Sequence, residues 1–448
     1  MTPPAGGMPD RREQFQPELE TLEVDALRAL QLERLGRVVT AAYERSPVYG
    51  ELCREAGVRP RDIRTLDDLR RLPFLEKATL RDTYPDGLRT CGLHDIIEVH
   101  STSGTTGKPT PIWASRHDME EWATRNARSL WMIGLRPGDL LQNCFAYGLA
   151  TSVGLQYGAQ RAGIGVVPAG IGRHGLLIDL IIDLGVTALC TTPSYALFLA
   201  DKALERGVDL SRDSSLRVGL FGAEPWPEAG RDRLAAALGV DAFNEYGMGE
   251  FLGPGMACEC PAKDGMHVWS DHIYVECIDP VTCEPVGDGE PGELVWTSLT
   301  SDSMAMIRYR SHDISSLTWE PCSCGRTHPR IGRITGRSDD ALSIGGLVVF
   351  PSQIEEVLVR HEEFGNNFCM VVDNVDNLDR LTLQVEVRGL PELADEARET
   401  LAKRIKAEIK ATVGVTPRVE LHDVFSLPRV TSDQGKTACH RVDDRRRC

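Results

Sequence analysis

Apolar residues recur at three- and four-residue spacing over residues 22–43, a helical pattern that Ser46-Pro47 closes, because a residue before proline is pushed out of the helical region. From residue 96 to about 240 the pattern changes. Short apolar runs such as 186–190 and 217–221 alternate with helical stretches such as 176–184, which predicts parallel strands joined by crossover helices. Over 273–317 strand-like pieces, 274–278 and 293–297, are separated by Pro and Gly turns and read as a β-rich appendage. The polar stretch 336–340 then precedes a β-α-β-β-α-β reading: 348–350, 353–361, 368–372, 381–387, 391–413 and 418–422. The expectation is an α/β chain with a large domain over 1–335 and a small α+β domain over 336–448. The basic end, Arg445-Arg446-Arg447-Cys448, reads as frayed.

A length of 448 residues exceeds one ordinary core, and 42% hydrophobic with 26% charged residues is a globular composition. With 50 Lys and Arg against 66 Asp and Glu, the overall field repels nucleic acid and anionic lipid, so a phosphate-bearing ligand needs a local site. Residues 1–14 hold no apolar run of the signal type and no later segment approaches a membrane span, so a cytoplasmic location is expected. The 13 cysteines are odd in number and scattered, which favours free thiols and a metal site over a disulfide framework.

The segment His100-Ser101-Thr102-Ser103-Gly104-Thr105-Thr106-Gly107-Lys108-Pro109-Thr110 follows a strand-like run. Its hydroxyls and backbone amides can converge on phosphate oxygens, and Lys108 adds a positive charge. It is not the Walker pattern, since Thr102 stands where the first glycine should be. The segment resembles the phosphate loop of adenylate-forming enzymes, specifically the phenylacetate-CoA ligase branch. Similar segments follow in the same order, among them Thr192-Pro193-Ser194-Tyr195, Gly222-Ala223-Glu224-Pro225-Trp226, Asn244-Glu245-Tyr246-Gly247, Arg308-Tyr309-Arg310 and Gly336-Arg337-Ser338-Asp339-Asp340. They cover nearly the whole chain from about residue 40.

The resemblance implies a large domain that binds ATP, a small mobile domain behind a hinge at Asp339, and roles by position. Ser103, Gly104, Thr105, Thr106, Gly107 and Lys108 would hold phosphates. Gly222, Ala223, Glu224 and Pro225 would wall the adenine, with Tyr246 stacking on it and Asn244, Glu245, Gly247 and Arg337 completing the nucleotide site. Glu250 would bind magnesium, which prefers hard oxygen ligands. Asp313 would accept the ribose hydroxyls, and Lys436, in Gly435-Lys436, would stabilise charge during adenylation. Coenzyme A is the thiol acceptor that the resemblance implies; a carrier-protein thiol or an amine is the alternative acceptor, and a non-catalytic nucleotide binder is a further reading. A homodimer stays open.

For the acid, the resemblance points to an aromatic or arylalkanoic substrate, with Phe145, Tyr147, Gln156 and Tyr195 as candidate pocket residues; aromatics of this kind also commonly pack cores. Gln156 replaces the usual histidine of the branch, Gly249 a Ser or Thr, and Gly345 and Val348 an Arg and an Asn, so phenylacetate itself is one candidate among several. Cys258-Glu259-Cys260, His267 and Cys322-Ser323-Cys324 resemble a zinc site found in part of the family. Cys260, His267, Cys322 and Cys324 are the chosen ligands, Cys258 competes, and separate free thiols are the alternative.

Overall fold

The computed structural model describes residues 13–102, 110–147, 151–338, 342–344, 347–375, 378–431, 437–439 and 441–447. The first long helix is Val24–Arg45, and Ser46 does more than end it. Its hydroxyl accepts the Tyr49 amide at 3.1 Å and so caps a second helix, Pro47–Glu55, with proline in the first turn, where no intrahelical amide bond is lost.

Five parallel strands form one half of the main sheet, in spatial order Gly165–Val167, Leu140–Asn143, Ala188–Thr191, Val218–Gly222 and Asp241–Tyr246. Ala188–Thr191 and Val218–Gly222 are buried at every position, as expected of strands covered by helices on both faces. Helices Arg116–Met132 and Gly154–Arg161 pack one face around Leu141, Cys190, Leu220 and Phe243. Helices His174–Asp183, Pro193–Glu205 and Glu228–Leu238 pack the other around Leu189, Phe221 and Ala242.

Beyond Asp241–Tyr246 the sheet turns antiparallel and runs through Ala257–Glu259, Met266–Val268, Arg330–Ile331, Tyr309–Thr318, Pro291–Ser298 and Ile273–Ile278. The β-rich region expected as an appendage is therefore continuous with the main sheet. Arg330 and Ile331 make the join, pairing Tyr309–Thr318 on one side and Met266–Val268 on the other. Two residues carry too little pattern to announce a strand.

A separate four-stranded sheet has the order Arg418–Asp423, Leu378–Val387, Phe364–Val375 and Val442–Asp444. Helices Pro351–Leu358 and Asp395–Val413 pack on its Phe368, Met370, Leu383 and Val385. Two features differ from the expectation. Leu347–Val349 pairs with Leu342–Ile344 in its own hairpin, and the fourth strand of the sheet comes from Val442–Asp444. The basic end is also held: Arg446 binds Asp379 at 2.9 Å and Asp444 at 2.8 Å, because the sheet brings those acids beside it. Among the described residues no helix is long and apolar enough to cross a membrane.

Candidate active site

Ligands of open α/β sheets bind beyond the carboxyl ends of the parallel strands. Here those ends open onto a cavity of about 260 Å³. Val218–Gly222 delivers one wall. Ala223 takes a left-handed φ of 67°, and Glu224 and Pro225 follow it into the cavity lining. Gly222 must be glycine, since a Cβ there would lie 2.5 Å from the Glu245 carbonyl oxygen of the adjacent strand.

The neighbouring strand supplies Asn244, Glu245 and Tyr246 and continues into Gly247, all four lining the cavity. Asn244 is fixed by the Trp226 indole, which donates to its Oδ1 at 3.0 Å, and by its own amide, which donates to Glu259 at 2.7 Å. The Tyr246 ring stacks on Trp296 with centroids 5.2 Å apart and planes 20° apart, so one face is taken by protein. Its hydroxyl donates to Asp313 Oδ2 at 2.6 Å, and burial together with that carboxylate pushes the phenol well above its ordinary range. Asp313 Oδ1 accepts from Arg337 Nη1 at 3.2 Å, and the same two residues are paired across their strands. Tyr246, Asp313 and Arg337, drawn from three segments, thus form one linked set on the cavity wall.

Glu250 sits in the short turn Gly249–Phe251 and lines the same cavity beside Tyr309, whose phenol is raised by burial and by the Glu250 carboxylate. Lys77 and Arg333 also line it and were not singled out from the sequence, nor was Trp296. No local motif marks these three; only pairing across distant strands and loops puts them here. Just before residue 339, Ser338 bonds His312 and Glu293, each at 3.1 Å. Burial raises the Glu293 carboxyl, but hydrogen bonds and charge from His312 and Arg310 outweigh it and hold the group at about 2.

Ser103, Gly104, Thr105, Thr106, Gly107, Lys108, Asp339 and Lys436 lie outside the described residues. The strands flanking the first group, Ile96–Thr102 and Thr110–Ser115, pair antiparallel with Thr102 opposite Thr110.

The four acid-pocket candidates do not line this cavity. Phe145 packs with helices Arg116–Met132 and Gly154–Arg161, the second of which carries Gln156. Tyr147 is nearby, its hydroxyl accepting from Asn143 Nδ2 at 3.1 Å. Tyr195 belongs to the cluster on the opposite face of the sheet; its hydroxyl accepts the Gly172 amide at 3.1 Å and lies 3.0 Å from His174 Nδ1.

The cysteine segments do converge. Donor atoms of Cys260, His267, Cys322 and Cys324 all lie within 4.8 Å of one another, with Cys260 Sγ 3.6 Å from Cys322 Sγ and Cys324 Sγ 3.3 Å from His267 Nε2. His267 Nδ1 faces the His328 carbonyl at 3.0 Å, which orients the ring with Nε2 toward the thiols. Cys258 is not in the group; it lies within the strand Ala257–Glu259 and is buried in the core with Trp269 and Phe243.

Comparison with known proteins places the chain in a family. The pattern of the family described as AMP-binding enzyme fits residues 30–301, and that of the AMP-binding enzyme C-terminal domain fits residues 346–446. The phenylacetate-coenzyme A ligase of Thermus thermophilus is 44% identical over 437 residues, spanning 94% of this chain and 98% of the relative. The crystal structure of 2-hydroxyisobutyryl-CoA ligase in the postadenylation state superposes with a TM-score of 0.88 at 31% identity, over 99% of this chain and 94% of that one. The same ligase in its thioesterification state, also 31% identical, covers 100% of this chain and 94% of its own and reaches 0.71. The chain therefore belongs to the AMP-binding enzyme family and, within it, to the branch of the phenylacetate-coenzyme A ligases.

Proposed function

We propose that this protein activates an aromatic or arylalkanoic acid with ATP, forming the acyl-adenylate and pyrophosphate, and then transfers the acyl group to the thiol of coenzyme A with release of AMP. The observation that carries the reading is the linked set Tyr246, Asp313 and Arg337 at the carboxyl end of the parallel strands. Tyr246, backed by Trp296, offers its ring to adenine. Asp313 accepts the ribose hydroxyls, held in place by the Tyr246 hydroxyl and Arg337. Gly222, Ala223, Glu224 and Pro225 wall the base, with Asn244, Glu245 and Gly247 beside it. The Ser103–Gly107 stretch and Lys108 receive the phosphates, and Lys436 steadies the charge at the reacting carboxylate; their assignment rests on the resemblance.

Glu250 offers a carboxylate oxygen of the kind magnesium requires, in the same cavity as the nucleotide set. When bound, the ion neutralises phosphate charge. Adenylation then needs positioning more than covalent chemistry from the protein. The large domain ends at residue 335 in this reading, and the segment through Asp339 turns the small domain, 336–448, between the two half-reactions. Its support is the placement of Ser338 in a polar network rather than in a packed core.

Cys260, His267, Cys322 and Cys324 hold a structural zinc. Tetrahedral thiolates at about 2.3 Å from the metal stand roughly 3.8 Å apart, close to the spacing of this cluster, and four protein ligands leave no open position for chemistry.

The test is a panel of aryl and arylalkanoic acids assayed for ATP-dependent pyrophosphate release, followed by mass spectrometry with coenzyme A. Release with at least one acid, and an acyl-CoA product of the matching mass, are the expected results. Release followed by transfer only to an amine or to a carrier protein would overturn the acceptor; no release with any acid would overturn the reading.

A further inference from the structure

The buried carboxyl of Glu245 is left over by the nucleotide site. Glu245 and Tyr246 are consecutive in a strand, so their side chains project to opposite faces of the sheet. Tyr246 faces Trp296 and Asp313. Glu245 shares its face with Phe243 and, across the register, with Gly222, Leu220 and Cys190. That face is the one covered by helix Gly154–Arg161, which carries Gln156, and by Phe145. Cys190 lies within electrostatic reach of Glu245, and Tyr147 within reach of Cys190, so the acid stands beside the pocket candidates at the strand ends.

Glu245 is 6% exposed, and its Oε1 is buried with no hydrogen-bond partner. A buried polar atom without a partner is costly, and such atoms are normally satisfied. The carboxyl sits where the nucleotide cavity, which Glu245 also lines, adjoins the face bearing Phe145 and helix Gly154–Arg161. A reacting acid must lie at such a junction, with its carboxylate toward ATP and its carbon frame beyond the strand ends.

We propose that Glu245 is a specificity-determining residue that selects acids carrying a hydroxyl group on the carbon frame, the group that can both accept from and donate to a buried carboxyl. This rests on the acyl-adenylate reading above. Burial outweighs the hydrogen bond from the Gly255 amide and holds the carboxyl neutral, with its pKa pushed up to about 8, so at neutral pH the unpartnered Oε1 is the atom a hydroxyl can pair with. A hydrocarbon acid leaves Oε1 unsatisfied, and sites built to hydrogen-bond a substrate group discriminate strongly against analogues that lack it.

The experiment compares pyrophosphate release for phenylacetate and its ring-hydroxylated and ring-aminated analogues by the wild type, Glu245→Gln and Glu245→Ile. The wild type should use a hydroxylated acid with kcat/KM at least roughly tenfold above the parent acid. Glu245→Gln, which keeps shape and hydrogen bonding, should retain most of that ratio, and Glu245→Ile should reverse it. A merely structural role would change stability and overall rate but leave the ratio unmoved, which would overturn the proposal. So would equal use of parent and hydroxylated acids by the wild type, a result needing no variant, or a preference for the aminated acids alone. Absence of release with every acid while ATP still binds in calorimetry would overturn the acyl-adenylate reading and this inference with it.

Discussion

At the scale of single residues the site depends on carboxylates whose partners are already in place. Asp313 is aimed by the Tyr246 hydroxyl and by Arg337. Asp313→Ala should weaken ATP binding roughly 10- to 100-fold, since hydrogen bonds to a charged group are lost and two ribose hydroxyls are left without acceptors; calorimetry with ATP checks this, and unchanged affinity would remove the assigned role. Glu245 makes a different prediction. Its folded-state pKa of about 8 lies above the ordinary 4.5, so the unfolded chain ionises this group first as pH rises. The groups facing it, the Cys190 and Cys258 thiols, are themselves raised by burial and stay neutral. The stability tied to Glu245 is therefore complete below about pH 4.5 and is lost as pH rises through about 8, by an amount on the order of a few kcal/mol. Glu245→Gln has no such loss, so the thermal midpoint of the wild type should fall relative to this variant between pH 5 and pH 8. A constant difference across that range would show that the group is not held protonated.

Among the elements, the loops around the cysteine cluster tie the strand pair Ala257–Glu259 and Met266–Val268 to the segment that precedes Arg330–Ile331, the two-residue join of the main sheet. A metal there would brace the junction between the parallel and antiparallel halves. Protein prepared without chelator should carry close to one zinc per chain, and Cys322→Ser should lower both the zinc content and the thermal midpoint while the rate per folded molecule stays largely intact. Metal analysis finding no zinc would return these side chains to ordinary thiols. Periodicity located most of the elements around the site: Ala188–Thr191, Val218–Gly222, Pro351–Leu358 and Asp395–Val413 all fall within two to four residues of their predicted spans. Arg330–Ile331 and Val442–Asp444 escaped because runs of two or three residues show no periodicity, and pairing alone makes them strands.

For the whole molecule, the arrangement superposes better on the postadenylation state of 2-hydroxyisobutyryl-CoA ligase than on its thioesterification state, with TM-scores of 0.88 and 0.71. On the proposed two half-reactions, mutation should separate adenylation from thioester formation. Lys436→Ala should abolish most adenylate formation, while a chemically prepared acyl-adenylate is still converted to the thioester; adenylation at the wild-type rate would dismiss the lysine. The sequence by itself determined the family, the alternation of strands and helices and the run of motifs, because these are carried by local spacing and by residue types whose chemistry is fixed wherever they stand. It placed Tyr246, Glu250, Asp313 and Arg337 in one site through the resemblance, and the cavity brings those four together. Only the tertiary structure decided that Trp296 backs Tyr246, that Lys77 and Arg333 enter the cavity, that Cys258 stays out of the cysteine cluster, and that Tyr195 and Phe145 lie on opposite faces of the sheet. Those outcomes depend on strand register, on where helices and loops are placed and on which face a side chain meets, none of which is written in the letters of any motif.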